Sequence, residues 1–233
     1  MNIFSIPFAG GSVYSMKQFE AYMPEELHWI PLEPPGRGRR AREPLIRELY
    51  LVAADIFHQL QHHLEEPYAL YGHSMGALLA YLVTQRIRAA NLPMPQHLFL
   101  SGCPAPSGKS VQPGRHLLPA DEFWNTLRNL GGSPEEILYN KELQRFFEPM
   151  LRADFEAIET YHYRPTVRLD VPITVMIGAD EFVSHHEASA WQQETTVPVE
   201  IVVFPGNHFF IFDQAYQVVR LIRKQLNLIT IGS

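Results

Sequence analysis

Cysteine is nearly missing from this chain. Cys103 is the only one among 233 residues, so no disulfide can form within it, and a reducing cytoplasm is the expected compartment. An excess of positive charge is also missing. The 19 Lys and Arg residues against 25 Asp and Glu leave a net charge of −6, which argues against nucleic acid as a partner. No apolar run approaches the roughly 20 residues of a bilayer span, so no membrane association is expected. The N-terminal Met1–Pro7 has no basic region ahead of its apolar residues and reads as a first strand, not a signal peptide. Eleven histidines are present, but His, Asp and Glu do not recur at liganding intervals, and no metal site is expected. Pairs such as His62-His63 and His185-His186 read as solvated helix residues. Internal repeats and low-complexity segments are absent. What remains is 46% hydrophobic and 19% charged, the composition of a globular protein, in a length that suits one sizeable α/β domain better than two.

Short apolar runs alternate with helical patterns along this length. Strands are expected at Asn2–Pro7, His28–Leu32, Tyr68–Tyr71, His97–Ser101, Ile173–Ile177 and Val199–Phe204. Several are apolar almost throughout, as strands covered on both faces are. The clearest helix runs from Leu45 to Leu64, with Leu45, Leu49, Val52, Ile56, Leu60 and Leu64 on one face. Others are expected at Leu78–Ala90, His185–Gln193 and Gln214–Leu226. This alternation implies an α/β fold: a mostly parallel sheet with helices on both faces.

One segment interrupts the pattern. From about Pro104 to Pro165 no strand is evident. Its entry holds Pro104, Pro106, Gly108, Pro113 and Gly114, and helical patterns follow at Ala120–Leu130, Pro134–Tyr139 and Lys141–Tyr161. Its aromatic and apolar residues, Phe123, Trp124, Phe146, Phe147, Met150 and Phe155 among them, suit a core of its own. A helical insertion above the carboxyl ends of parallel strands is also where a lid over a substrate sits, with Phe146 and Met150 as candidate pocket residues.

The chemistry is concentrated at Gly72-His73-Ser74-Met75-Gly76. A strand, then G-x-S-x-G, then a helix is the setting of a nucleophile elbow, in which a sharp turn lifts the serine hydroxyl clear of the sheet. An activated serine needs a base and a group that orients it, in the chain order Ser, acid, His. His208 lies on the loop past the last strand and is the expected base. For the acid, two neighbours compete. Counting forward from Gly178 reaches Glu181, whereas a D-x-x-V spacing back from Val183 reaches Asp180. One missing turn residue reconciles the two in favour of Asp180, which is the expected acid, with Glu181 as the alternative. The oxyanion needs two donors. The backbone N–H of Met75, at a helix N-terminus, and that of Ala9, in the loop Phe8-Ala9-Gly10-Gly11-Ser12, are placed to serve.

Taken together, Pro7-Phe-Ala-Gly-Gly11, Glu33-Pro-Pro-Gly-Arg-Gly38, Gly72-His-Ser-Met-Gly76, Leu130-Gly-Gly132, Leu151-Arg-Ala-Asp-Phe155 and Gly206-Asn-His-Phe-Phe210 make the chain resemble, over essentially its whole length, the type II thioesterases. These are free-standing editing hydrolases of non-ribosomal peptide and polyketide synthases, and the same family includes the thioesterase that releases medium-chain fatty acids. The resemblance implies an α/β-hydrolase fold, a nucleophile at Ser74, a base at His208 and oxyanion donors at Ala9 and Met75. It also implies an acyl thioester substrate on the phosphopantetheine arm of a carrier domain, with no cofactor required and a monomer expected. The chain departs from the family at Asn207, where glycine is usual, and in an acid loop one residue short. The stretch Arg37-Gly-Arg-Arg-Ala-Arg42 allows two readings: solvated loop charge with helix-start contacts, or steering of an acidic carrier. A small-ester carboxylesterase with the same triad, or a non-catalytic binding scaffold, are the competing functions.

Overall fold

The computed structural model describes residues 1–108, 114–131 and 135–227. Pro113, Gly132 and Pro134, singled out in the sequence, lie outside the described residues. Six strands form one sheet: β1 (Asn2–Ile6), β2 (His28–Pro31), β3 (Tyr68–His73), β4 (Leu98–Ser101), β5 (Ile173–Gly178) and β6 (Glu200–Phe204). Their spatial order is β2-β1-β3-β4-β5-β6, and every neighbouring pair is parallel. The register aligns the carboxyl ends, pairing Ile6 with Gly72, His73 with Ser101, Ser101 with Met176 and Gly178 with Phe204. Every loop that carries a predicted site residue therefore leaves the sheet on the same edge.

Alternation along each strand feeds two cores. Phe4, Ile6, Tyr68 and Leu70 face one side, where they meet α1 (Leu49–Leu60) and α2 (Met75–Ala89). Ile3, Ala69 and Tyr71 face the other, against α8 (Ala215–Gln225). Helices on both faces account for the continuous apolar runs in the sequence. Two boundaries differ from expectation. Helix α1 starts at Leu49 and not at Leu45, because the Leu45 side chain is used to pack on Gly36 of the preceding loop. The stretch His185–Gln193 divides into α6 (His185–Ser189) and a 3-10 turn, and a short α7 (Phe210–Asp213) precedes α8.

Between β4 and β5 the described residues hold no strand but, besides two short 3-10 turns, three α-helices, α3 (Ala120–Leu130), α4 (Glu135–Tyr139) and α5 (Lys141–Glu159). Asn140 starts α5 by accepting the N–H groups of Glu142 and Leu143. Phe123, Trp124 and Leu127 of α3 pack with Leu138, Leu151 and Phe155 in a separate small core. Phe146 is not part of it: its ring is 72% exposed. Of the main body, Ala9 is packed against this small core. Among the described residues no helix is long and apolar enough to cross a membrane.

Candidate active site

Ser74 sits between β3 and α2 with φ 55° and ψ −115°, a left-handed conformation that costs a non-glycine residue of the order of 1–3 kcal/mol. The surrounding backbone enforces it. A Cβ on Gly72 would lie 2.1 Å from the Gly76 carbonyl oxygen, and one on Gly76 would lie 2.1 Å from that of Ile6. Both glycines are thus required for strand and helix to approach this closely, and Ser74 N–H is held by the Ser101 carbonyl at 2.8 Å. The elbow of the sequence motif is present as expected.

His208 lies on the loop after β6. That loop crosses the end of β5 so closely that a Cβ on Gly178 would be 2.5 Å from the carbonyl oxygens of Gly206 and Asn207. Asn207 Oδ1 accepts the Phe209 N–H at 2.9 Å, so the residue standing where the family usually has glycine contributes a turn contact beside His208. The imidazole is 6% exposed and packed against the rings of Phe182, Phe209 and His73, with centroids 4.8–5.0 Å away.

The partner of His208 corrects the sequence reading. Nδ1 of His208 is 2.8 Å from Oε2 of Glu181, and Oε1 of the same carboxylate accepts the Gly178 N–H at 2.6 Å. The Glu181 side chain is completely buried, whereas Asp180 is exposed. The cause lies in the turn. Ala179 and Asp180 continue past β5 by donating their N–H groups to the carbonyls of Phe204 and Gly206. This carries the Asp180 side chain outward, and the next residue folds back under the histidine. The extra methylene of glutamate spans the remaining gap. Counting from Gly178 reaches the carboxylate that meets His208, and the assumed deletion does not.

Ala9 and Met75 both line the same cavity as Ser74 and His208, a space of about 460 Å³. Neither backbone N–H has an acceptor among the described residues, so both donors remain free. Leu127, Leu130, Leu151, Phe155 and Ile158 of the insertion supply the apolar wall opposite. Phe146 and Met150, the expected pocket residues, do not line it. No hydrogen bond joins Ser74 Oγ to His208 among the described residues. His73, inside the elbow, is fully buried. Its Nδ1 is 2.8 Å from Ser101 Oγ, its Nε2 has no partner, and burial followed by the neighbouring His208 holds it well below the usual imidazole range, so it stays neutral. Its place beside the base had no signal in the sequence. Among the described residues no group of three or more His, Cys, Asp or Glu side chains is arranged to hold a metal ion.

The arginine stretch separates into two kinds of residue. Arg37 is buried and forms a bidentate pair with Asp154 of α5, with both contacts at 2.6 Å. Arg40 pairs with Asp55 and Glu43, which raise its pKa further, and it also donates to the Glu33 carbonyl at 2.8 Å. Only Arg39 and Arg42 are exposed.

A family model described as Thioesterase domain matches residues 1–226. The gramicidin S biosynthesis protein GrsT of Aneurinibacillus migulanus is 32% identical over 230 residues, covering 98% of this chain and 90% of the relative. The medium-chain S-acyl fatty acid synthase thioesterase of Homo sapiens is 28% identical over 206 residues, covering 86% of this chain and 76% of the relative. The crystal structure of ClbQ from the colibactin NRPS/PKS pathway superposes with a TM-score of 0.92 at 31% identity, covering 97% of this chain and 96% of the other. The thioesterase RedJ from the prodiginine pathway of Streptomyces coelicolor gives 0.89 at 31% identity, covering 97% and 90%. An elbow serine, a buried His–Glu pair and two free N–H groups around one cavity are what acyl transfer to water needs, and with these matches spanning nearly its whole length the chain belongs to the Thioesterase domain family.

Proposed function

We propose that the protein hydrolyses acyl thioesters carried on the phosphopantetheine arm of carrier domains, clearing stalled or wrongly primed non-ribosomal peptide and polyketide synthases in the cytoplasm. The observation that carries this reading is the buried Glu181–His208 pair facing the strained Ser74 across one acyl-sized cavity. Ser74 Oγ attacks the thioester carbonyl while His208 Nε2 takes its proton, and the Glu181 carboxylate holds Nδ1–H and stabilises the imidazolium. The N–H groups of Ala9 and Met75 receive the oxyanion. The tetrahedral intermediate collapses, and the thiol leaves with the proton returned by His208. With an ordinary thiol pKa of about 8.5, it departs more readily than an alkoxide. Water, deprotonated by His208, then attacks the acyl-enzyme and releases the acid. The Ser–His hydrogen bond forms when substrate docks, as such contacts tighten in the Michaelis complex.

The relatives divide between peptide or polyketide pathways and fatty acid synthesis, so release of medium-chain fatty acyl groups is the second reading, supported by the apolar insertion wall. The test compares kcat/KM on carrier-bound aminoacyl, short-acyl and medium-chain thioesters with that on a simple p-nitrophenyl ester. Preference for carrier-bound aminoacyl and short acyl groups supports the editing reading. Preference for medium chains supports the second, and preference for the free ester returns the protein to the carboxylesterases. Absence of Ser74 labelling by a fluorophosphonate would leave a binding scaffold.

A further inference from the structure

Phe8 to Gly11 forms a tight turn closed by Gly11 N–H to the Phe8 carbonyl at 2.9 Å. Gly10, its third residue, has φ +80°, the signature of a type II turn, whose central peptide is flipped relative to type I. The outward N–H of that flipped peptide is taken by Asp154 Oδ2 at 2.7 Å. Asp154 belongs to α5, 144 residues away in sequence. The same oxygen receives Arg37 at 2.6 Å, and Arg37 donates also to the Gly11 carbonyl at 3.3 Å. A second carboxylate, Glu33, accepts Val13 N–H at 3.0 Å and Arg39 N–H at 2.7 Å, tying the far end of the loop to the β2 loop. Leu151 of α5 sits where a Gly10 Cβ would be, 2.4 Å from it. Of the two central residues of the turn, Gly10 has its N–H taken and Ala9 keeps its N–H without an acceptor among the described residues, while Gly10 and Gly11 are gripped from two directions.

We infer that Asp154 and Arg37 are positioning residues that hold the Ala9–Gly10 peptide in the flipped turn and thereby aim the Ala9 N–H at the oxyanion. This rests on the acyl-hydrolase reading above and deepens it. Stability by itself does not call for the pair. Desolvating two charges offsets most of their attraction, and apolar replacements of similar volume often serve a fold as well. The contacts instead converge on the backbone of one catalytic loop. Loss of the Asp154 carboxylate releases the Ala9–Gly10 peptide; the Ala9 N–H, on the adjoining Phe8–Ala9 peptide, then shifts with the Ala9 Cα, and a donor misplaced by about 1 Å costs up to about 100-fold in rate. The ground-state thioester needs no oxyanion donor, so binding is spared.

The test is the paired substitution Arg37→Met with Asp154→Leu, which removes both charges and keeps the volume, alongside Asp154→Asn. Each is measured by thermal unfolding, by kcat and KM on a small soluble acyl thioester, and by the rate of Ser74 labelling with a fluorophosphonate. The expected result for the double variant is a melting temperature within about 5 °C of the parent, kcat and labelling rate lower by about 10- to 100-fold, and KM within about twofold. Asp154→Asn keeps an acceptor for Gly10 N–H but loses the charge-assisted bonds, and its kcat and labelling rate fall about three- to tenfold. A folded double variant with unchanged kcat and labelling rate overturns the inference, because the pair would then serve folding alone. If the double variant does not fold, a folded Asp154→Asn with parental kcat and labelling rate overturns it equally. A parent protein inert on every thioester but labelled at Ser74 defeats the functional reading, while the labelling rates still decide the role of the pair.

Discussion

The strand ends around Ser74 and the helices α3 and α5 face each other across one cavity, yet they are held by different contacts. On the sheet side, position is set by the backbone: parallel ladders align the carboxyl ends, and Gly72, Gly76 and Gly178 allow main chains to touch. On the insertion side, position is set by side chains. A small apolar core is framed by pairs such as Arg152–Glu148 at 2.8 Å and Arg115–Glu159 at 3.0 Å. Backbone placement leaves little room for variation and suits chemistry. Side-chain placement can be altered residue by residue and suits the shape of the acyl pocket.

The largest expected effect separates the two carboxylates on the sheet side. Glu181→Gln should lower thioester turnover by about 10³- to 10⁴-fold, because only the residue on Nδ1 fixes the tautomer of the base. Asp180→Asn should stay within about twofold, and Ser74→Ala should fall at least as far as Glu181→Gln. Turnover of the purified variants on one thioester decides it; a severe Asp180→Asn lesion would restore the deletion-based alignment of the acid loop.

Acid should strike the sheet side. His97, at the start of β4, is 2.8 Å from Thr174 Oγ1, and burial lowers its pKa from 6.5 to about 4. Between those values the unfolded chain binds a proton that the folded chain refuses, so stability, complete above about pH 6.5, declines as pH falls toward 4, by at most about 3 kcal/mol. His73 adds a contribution of the same sign. Urea unfolding at pH 7 and pH 4.5 should show a smaller loss in His97→Gln than in the parent; parallel losses would mean that His97 does not report this window.

On the insertion side the effects are smaller and selective. Phe155→Ala widens the cavity wall and should shift the ratio of kcat/KM between long and short acyl thioesters by about tenfold, whereas the exposed Phe146→Ala should leave it unchanged. Amide exchange faster in α3–α5 than in β3 would mark the insertion as a mobile lid, and uniform protection would mark it as a fixed wall. The smallest effect concerns the partner. If Arg39 and Arg42 steer an acidic carrier, Arg39→Glu with Arg42→Glu should reduce kcat/KM for carrier-bound acyl groups a few-fold at low salt and spare a small thioester, because exposed charges act on a large charged partner and are screened beyond about 10 Å at 0.1 M salt. Equal loss on both substrates would assign these arginines to the site itself.

The contrast also explains what could be read in advance. All six strands were legible, because two-sided burial writes itself as apolar runs, and the elbow was legible because backbone collisions dictate its glycines. Asp180 was preferred over Glu181 because a spacing rule ignores which way a turn throws consecutive side chains; that depended on hydrogen bonds to Phe204 and Gly206, far along the chain. Phe146 and Met150 are candidates for the pocket by residue type alone, which does not say which face of α5 each occupies: Phe146 is exposed and Met150 is buried away from the cavity. Arg37 and Asp154 stood in recognised motifs, but their meeting across 117 residues is a tertiary fact.

The alignment of β4 with β5 has a consequence for folding. Ser74 and the turn at Ala9 lie on the amino side of that seam, and Glu181 and His208 on the carboxyl side, joined through Leu98↔Ile173 to Ser101↔Met176. The long insertion lies between the two strands, so this pairing closes after a larger loop than the β3–β4 pairing does. A slip of one residue there would displace His208 from Ser74 by about 3.3 Å and turn every β5 side chain to the wrong face. Neither half of the chain carries all the groups of the proposed mechanism, so on that reading acquisition of activity during refolding is a clock for the zipping of that one seam.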